Sequence, residues 1–157
     1  MSLMQQILWG SGFLGLCLLL HVASLALGMH VLTLAMRWVA RLRPAAQTAI
    51  ALTLVLSTLL ASLTAQTWIW SIFWISNGTL PDWNTAVYFS LVTFTALGYG
   101  DVVLGPEARV FASFAAVTGL LGFGLSSAFL VAVMTRLLTE LYPRHRSGAN
   151  KRAKGAP

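Results

Sequence analysis

The sequence predicts an all-α membrane protein with three spanning helices and a short further helix that enters the membrane without crossing it. Hydrophobic residues make up 57% of the 157 residues and charged residues only 9%. A soluble domain carries roughly 25% charged residues, so a water-facing surface is hard to build here. The apolar residues gather in three blocks, each long enough for the ~30 Å hydrocarbon core, which needs about 20 residues of helix. Between the second and third blocks lies a shorter apolar stretch that ends in a glycine-bearing loop.

The first block runs from Ile7 to Met36. It exceeds the span it has to cover, so it tilts or extends past the interface. Met1 to Gln6 ahead of it holds no Lys or Arg, and the block is longer than the apolar core of a signal peptide, so it reads as a retained helix. The second block runs from Ala45 to Ile75 and is followed by the polar loop Ser76-Asn77-Gly78-Thr79-Leu80-Pro81. Asn77-Gly78-Thr79 also matches a glycosylation sequon, a weak motif. Pro81-Asp82 is a helix-start signal, and the stretch Thr85 to Phe94 is too short to span. A helix that enters and then leaves through non-helical backbone is re-entrant; lipid tolerates this only where protein buries that backbone or it lines a wet cavity. The third block runs from Val110 to Leu138. Its helix is expected to begin near Pro106, with Glu107 in the first turn, where proline and an acid both suit a helix start. After Pro143 the chain is basic and rich in small residues, a composition that predicts disorder. The chain therefore divides at 1–44, 45–138 and 139–157, without internal repeats.

The net charge of +6 is unevenly spread. Basic residues gather at Arg37, Arg41 and Arg43, and again at Arg136, Arg144, Arg146, Lys151, Arg152 and Lys154. Clusters flanking apolar helices report membrane topology, so no nucleic-acid partner is expected. With the 76–101 region outside, nine of the ten basic residues face the cytoplasm, Arg109 being the exception, while Asp82, Asp101 and Glu107 lie outside. That obeys the positive-inside rule and puts the protein in the cell membrane with its N-terminus outside and its C-terminus cytoplasmic. The basic tail also suits anionic lipid head groups, at about 1 kcal/mol per charge near the surface; topology bias is the alternative account of the same charges.

The short apolar stretch ends in Thr93-Phe94-Thr95-Ala96-Leu97-Gly98-Tyr99-Gly100-Asp101. Gly98 and Gly100 can adopt left-handed backbone closed to other residues. Alternating such glycines with ordinary residues turns successive carbonyls to one side. A row of carbonyls on a narrow axis can replace the water shell of a cation. The preceding short helix would aim its negative C-terminal end at the same place.

Ala96-Leu97-Gly98-Tyr99-Gly100-Asp101 resembles the filter of the potassium channel family, which reads roughly Thr-Val-Gly-Tyr-Gly-Asp, and specifically the small pore-loop channels with few helices per subunit. The resemblance covers residues 45–138. It implies an outer helix over 45–75, a pore helix over 82–94, a filter over 95–101 and an inner helix over 106–138. It implies that K+ is held by backbone carbonyls of Thr95, Ala96, Leu97, Gly98, Tyr99 and Gly100, with no other metal and no cofactor. It implies filter support from Asp101, Tyr88, Phe89 and Trp83, and a gating hinge at Gly119, with Phe123-Gly124 continuing the match. One loop per chain is one quarter of a ring, so the implied assembly is a homotetramer, each chain partnered by three identical subunits in a lipid bilayer. Three positions depart from the pattern. Ala96 lacks the hydroxyl that a Thr there supplies to the innermost ion site, so that site is expected to have carbonyl ligands only. Leu97 replaces Val. Val92 stands where some members carry a Glu that pairs with the filter Asp, so Asp101 is expected to turn to Trp83 or to solvent.

Other residues carry weaker signals. Gly119, Gly122 and Gly124 lie on the third helix; Gly119 reads as a hinge on the resemblance, with close helix packing as the alternative for all three. Ser126 and Ser127 either line a cavity or bond their own helix backbone. His21 lies in mid-block, where an ionisable residue is a functional hypothesis; a neutral imidazole bonded to a neighbouring helix is the expectation. His30 and His145 stand nearer the cytoplasmic side. Arg37, Arg41 and Arg43 lack the every-third spacing of a voltage sensor and read as topology anchors. Trp68, Trp70 and Trp74 read as interface anchors. Cys17 reads as a small buried apolar side chain.

The acids are too few and scattered for a membrane hydrolase, and neither a Gly-x-Ser-x-Gly motif nor metal-ligand spacing occurs, so no enzymatic activity is expected. Two further readings stay open beside a potassium-selective channel. One is a weakly selective cation channel, because of Ala96. The other is a non-conducting membrane subunit of a larger assembly, against which the intact Gly98-Tyr99-Gly100 counts.

Overall fold

The computed structural model describes residues 2–141, and the basic tail with His145 lies outside the described residues. Four helices form: α1 (Leu3–Trp38), α2 (Pro44–Ser76), α3 (Trp83–Phe94) and α4 (Arg109–Leu141). Three of them, α1, α2 and α4, are long and apolar enough to cross a membrane. With 36 residues, α1 reaches about 54 Å at ~1.5 Å per residue, well beyond the hydrocarbon core.

Each helix starts for a local reason. Ser2 caps α1: its Oγ accepts from the Gln5 N–H at 3.3 Å, while the Gln5 side chain accepts from the Ser2 N–H at 2.9 Å. This reciprocal box satisfies two otherwise orphaned donors. α2 begins with Pro44 at its first position, where a missing N–H is harmless. The tight connection before it is held by Gln47, whose Nε2 donates to the carbonyls of Ala40 at 3.2 Å and Leu42 at 2.9 Å. α3 is capped by Asp82, which accepts from the Thr85 N–H at 3.0 Å and the Thr85 hydroxyl at 2.7 Å. These bonds hold the Asp82 carboxyl below the usual range. α4 begins at Arg109 rather than near Pro106. Pro106 to Ala108 instead form a turn in which the Gly105 carbonyl accepts from Ala108 and Arg109 N–H groups at 3.0 and 3.1 Å.

The long helices pack along their whole length. α1 runs beside α4 in the same direction. The Gln6 side chain meets the start of α4, and a Cβ on Gly10 would overlap the Phe114 ring. His21 reaches Ser126. α1 also packs on α2, where a Cβ on Gly28 would overlap the Thr58 side chain. α3 lies against α2 and α4 and does not touch α1. Lipid tails are as apolar as leucine, so such contacts are held by shape and by polar bonds rather than by exclusion of water.

Two cores result. One, at the α3 end, gathers Trp70, Trp74, Phe89, Phe94 and Phe111, with Cys17 from α1. The other, at the far end, gathers Leu25, Leu32, Val55, Leu59, Val133 and Leu137. Here the structure corrects an expectation: Trp70 and Trp74 are fully buried, and only Trp68 is half-exposed. Positions 70 and 74 lie four apart on the helix face turned to α1 and α4, whereas 68 points away.

Candidate functional site

α3 ends at Phe94, and the following backbone stays tied to it. The N–H groups of Thr95, Ala96, Leu97 and Gly98 donate to the carbonyls of Leu91, Thr93, Val92 and Val92 at 3.0, 2.9, 2.9 and 3.3 Å. The carbonyls of residues 95–100 accept no hydrogen bond from any described residue. The donors are thus spent inward and the acceptors remain available.

The dihedral pattern explains how. Ala96, Gly98 and Gly100 have φ of +57°, +57° and +78°, while Leu97 and Tyr99 between them do not enter that region. Alternating hands along the chain is the pattern that can bring successive peptide oxygens to one side. The left-handed conformation at Ala96 carries a steric cost of about 1–2 kcal/mol that glycine escapes. Sequence reasoning assigned this backbone to Gly98 and Gly100 alone; the structure extends it to Ala96. Residues 95–101 are all exposed on the single chain. The Thr95 hydroxyl turns back and donates to the Leu91 carbonyl of α3 at 2.7 Å. Ala96 adds no side-chain oxygen.

The far end of the loop is pinned from α3. The Tyr88 hydroxyl donates to Asp101 Oδ2 at 2.5 Å, and the Val102 N–H donates to Oδ1 at 3.0 Å. The Tyr88 bond holds the Asp101 carboxyl below the usual carboxylate range. Within the chain, Asp101 therefore bonds Tyr88, and Trp83 stands elsewhere, half-exposed with its ring 6.1 Å from that of Trp68. Phe89 is buried edge-on against Trp74 at 5.5 Å. A cavity of about 250 Å³ separates loop and helix, with Tyr88, Val92, Thr93 and Asp101 in its walls.

Gly119 allows α4 to approach the end of α3. A Cβ there would overlap the Phe94 carbonyl oxygen. α4 runs unbroken through this point. Gly122 is looser, with a Cβ meeting Leu63 at 3.8 Å, and Gly124 faces open space.

A second polar feature lies in mid-bundle. His21 is fully buried. Its Nδ1 lies 2.9 Å from Ser62 Oγ and 2.9 Å from Gln66 Nε2, and its Nε2 lies 3.1 Å from Ser126 Oγ. Gln66 Nε2 is a donor, so Nδ1 is the acceptor nitrogen and the ring proton sits on Nε2 toward Ser126. One imidazole thus ties α1 to both α2 and α4, as expected for His21. Ser126 takes a role that neither earlier alternative described, while Ser127 bonds its own helix at the Phe123 carbonyl, 3.0 Å away. Among the described residues, no group of three His, Cys, Asp or Glu could hold a metal ion.

Two amides escaped the sequence reading. Gln66 carried a usable signal, because an amide inside an apolar block needs a partner and His21 was available. Gln6 carried none. Its Oε1 accepts from the N–H groups of Val110 and Phe111 at 3.1 and 3.3 Å, and its Nε2 donates to the Pro106 carbonyl at 3.1 Å. It supplies the N-terminal cap of α4 from a helix about a hundred positions away.

Residues 48–136, more than half of the chain, match the family model described as "Ion channel". No curated protein and no solved structure matches the chain.

Proposed function

We propose that this chain, which belongs to the ion channel family, is one of four identical subunits of a potassium-selective channel that passes K+ down its electrochemical gradient. The observation that carries the reading is the loop after α3, with the N–H groups of Thr95 to Gly98 bound to α3, its carbonyls unbonded within the described residues and its backbone alternating hand from Ala96 to Gly100. Four such loops around an axis form stacked rings of oxygens that stand in for the water shell of a cation, and ions advance by displacing one another between rings. α3 is then the re-entrant pore helix, and its C-terminal dipole end favours a cation at the inner mouth. Tyr88 and Asp101 hold the outer mouth. α4 lines the pore below the filter; its exposed Leu120 and Phe123 face neighbouring subunits or the cavity. Three spanning helices make the chain a multi-pass membrane protein, oriented with α1 starting outside and α4 ending in the cytoplasm.

Ala96 favours a second reading, a cation channel of weak selectivity. With no hydroxyl at that position, the innermost site has only its backbone carbonyls. The deciding experiment is a reversal potential under bi-ionic K+ and Na+ with the purified protein in planar bilayers. A K+-selective potential supports the main reading, and equal permeability supports the second. Absence of any current points to a non-conducting subunit. Ala96→Ser, which returns one hydroxyl per chain, is expected to raise the K+ to Na+ permeability ratio in the same recording.

A further inference from the structure

At the end of the bundle away from the filter, the last turns of α1 and α4 enclose a groove of about 270 Å³. Its floor is apolar, with Leu32, Met36 and Leu137, and its rim carries Arg37, Arg136 and Glu140. Arg136 Nε donates to Glu140 Oε1 at 2.8 Å, with both side chains more than half exposed. Such an exposed pair adds little stability. It does direct the guanidinium, and it occupies Nε while leaving the two terminal amino groups for another acceptor. Arg37 has no ion-pair partner among the described residues. The groove therefore presents two cations and one carboxylate above an apolar floor.

The chain itself cannot supply the missing anion. Of its four acids, Asp82, Asp101 and Glu107 belong to the filter end, and Glu140 is already in the groove. Residues 142–157 hold five Lys and Arg and no Asp or Glu. That segment adds only cations, and a second copy of this end adds two more cations with its one carboxylate, so neither removes the excess of positive charge. A phosphate suits two guanidinium groups, which can each donate two parallel hydrogen bonds to its oxygens. An acyl chain suits the floor.

We propose that this groove binds an anionic phospholipid, its phosphate held between Arg37 and Arg136 and one acyl chain laid between α1 and α4. The leaflet is the cytoplasmic one under the orientation given above; the site does not depend on conduction. It is separate from any attraction between lipid and the basic tail.

The test is native mass spectrometry of the full-length protein in detergent, titrated with phosphatidylglycerol or with phosphatidylcholine of the same chains. Phosphatidylglycerol is expected to bind more tightly. Arg37→Gln and Arg136→Gln are each expected to weaken it about fivefold, the effect of one basic residue near an anionic head group. Leu137→Trp, which fills the floor and keeps every charge, is expected to weaken both lipids. Arg41→Gln and the double change Arg144→Gln with Arg146→Gln are expected to bind like the wild type. Circular dichroism identifies any variant that has not folded. The proposal is overturned if Arg41→Gln matches Arg37→Gln, since diffuse surface charge then suffices. It is overturned equally if the tail variant loses the lipid, if phosphatidylcholine binds as well, or if inorganic phosphate alone binds as tightly. Because the readout is binding, its failure leaves the channel reading untouched, and a silent channel leaves this site testable.

Discussion

The two ends of one helical bundle are packed by different chemistry. At the α3 end, Trp70 stacks on Trp74 at 5.6 Å and Phe13 stands edge-on to Trp70 at 4.6 Å. Phe73 and Phe111 close the cluster at 4.6 Å. At the other end the fully buried side chains are aliphatic or small. Aromatic rings have few rotatable bonds and settle into defined offset or edge-on geometries. Aliphatic side chains have no such preferred ring geometry. Under the proposed function the first end must hold carbonyls to a fraction of an ångström, and the second must part to open a path. His21 sits on the border, tying α1 to both α2 and α4 by polar bonds.

The largest test of this contrast sets Trp74→Ala against Leu137→Ala. Removing a buried tryptophan costs about 3–5 kcal/mol, and in bilayers Trp74→Ala is expected to lower K+ over Na+ selectivity as well. Leu137→Ala is expected to change the fraction of time open and leave selectivity alone. If both variants altered selectivity equally, the division of labour would be wrong.

Next in size is Gly119→Ala. Its added methyl meets the Phe94 carbonyl, an overpacking expected to cost about 1–3 kcal/mol. Gly124→Ala faces open space and is expected to stay within about 0.5 kcal/mol. Thermal unfolding in detergent compares them. Equal stability would remove the close-packing role and return Gly119 to a hinge alone.

His21→Leu is expected to cost about 1 kcal/mol, the scale of a hydrogen bond between membrane helices, because Ser62, Gln66 and Ser126 lose their shared partner. It is expected to shift open probability in single-channel records without changing permeability ratios. A selectivity change in this variant would mean that the border lies lower in the bundle.

The smallest effect is read through pH. The Asp101 carboxyl is held below its ordinary value by Tyr88, so the bond contributes fully above that ordinary value and is lost as external pH falls through the lowered one. Tyr88→Phe is expected to move the acid-induced loss of current to higher pH. An unchanged pH profile would detach Asp101 from the outer mouth.

Much of this architecture was legible because its signals are local. A run of about 20 apolar residues states that a helix can span, and Asp82 three places before Thr85 states where α3 starts. Gly98 and Gly100 state where unusual backbone is possible. The basic clusters themselves need only counting. Ala96 shows the limit of local reasoning. Its side chain argues against left-handed backbone, and only attachment of Ala96, Leu97 and Gly98 N–H groups to α3 makes that conformation part of an alternating row. The start of α4 shows it again. Proline and glutamate favour a start near Pro106, yet Gly105 accepts the turn's bonds and Gln6 caps Val110 and Phe111.

What the sequence determined alone was therefore the set of spans, the unusual backbone at Gly98 and Gly100 and the sign of charge at each end, since these follow from hydropathy, backbone freedom and counting. What only the tertiary structure decided was which face of each helix is buried. In an all-apolar helix the hydrophobic pattern is silent, because lipid and protein core accept the same side chains. Trp70 and Trp74 thus turned inward while Trp68 did not. His21, Gln66 and Ser126 found one another because a polar group far from water must be answered by whichever helix lies beside it.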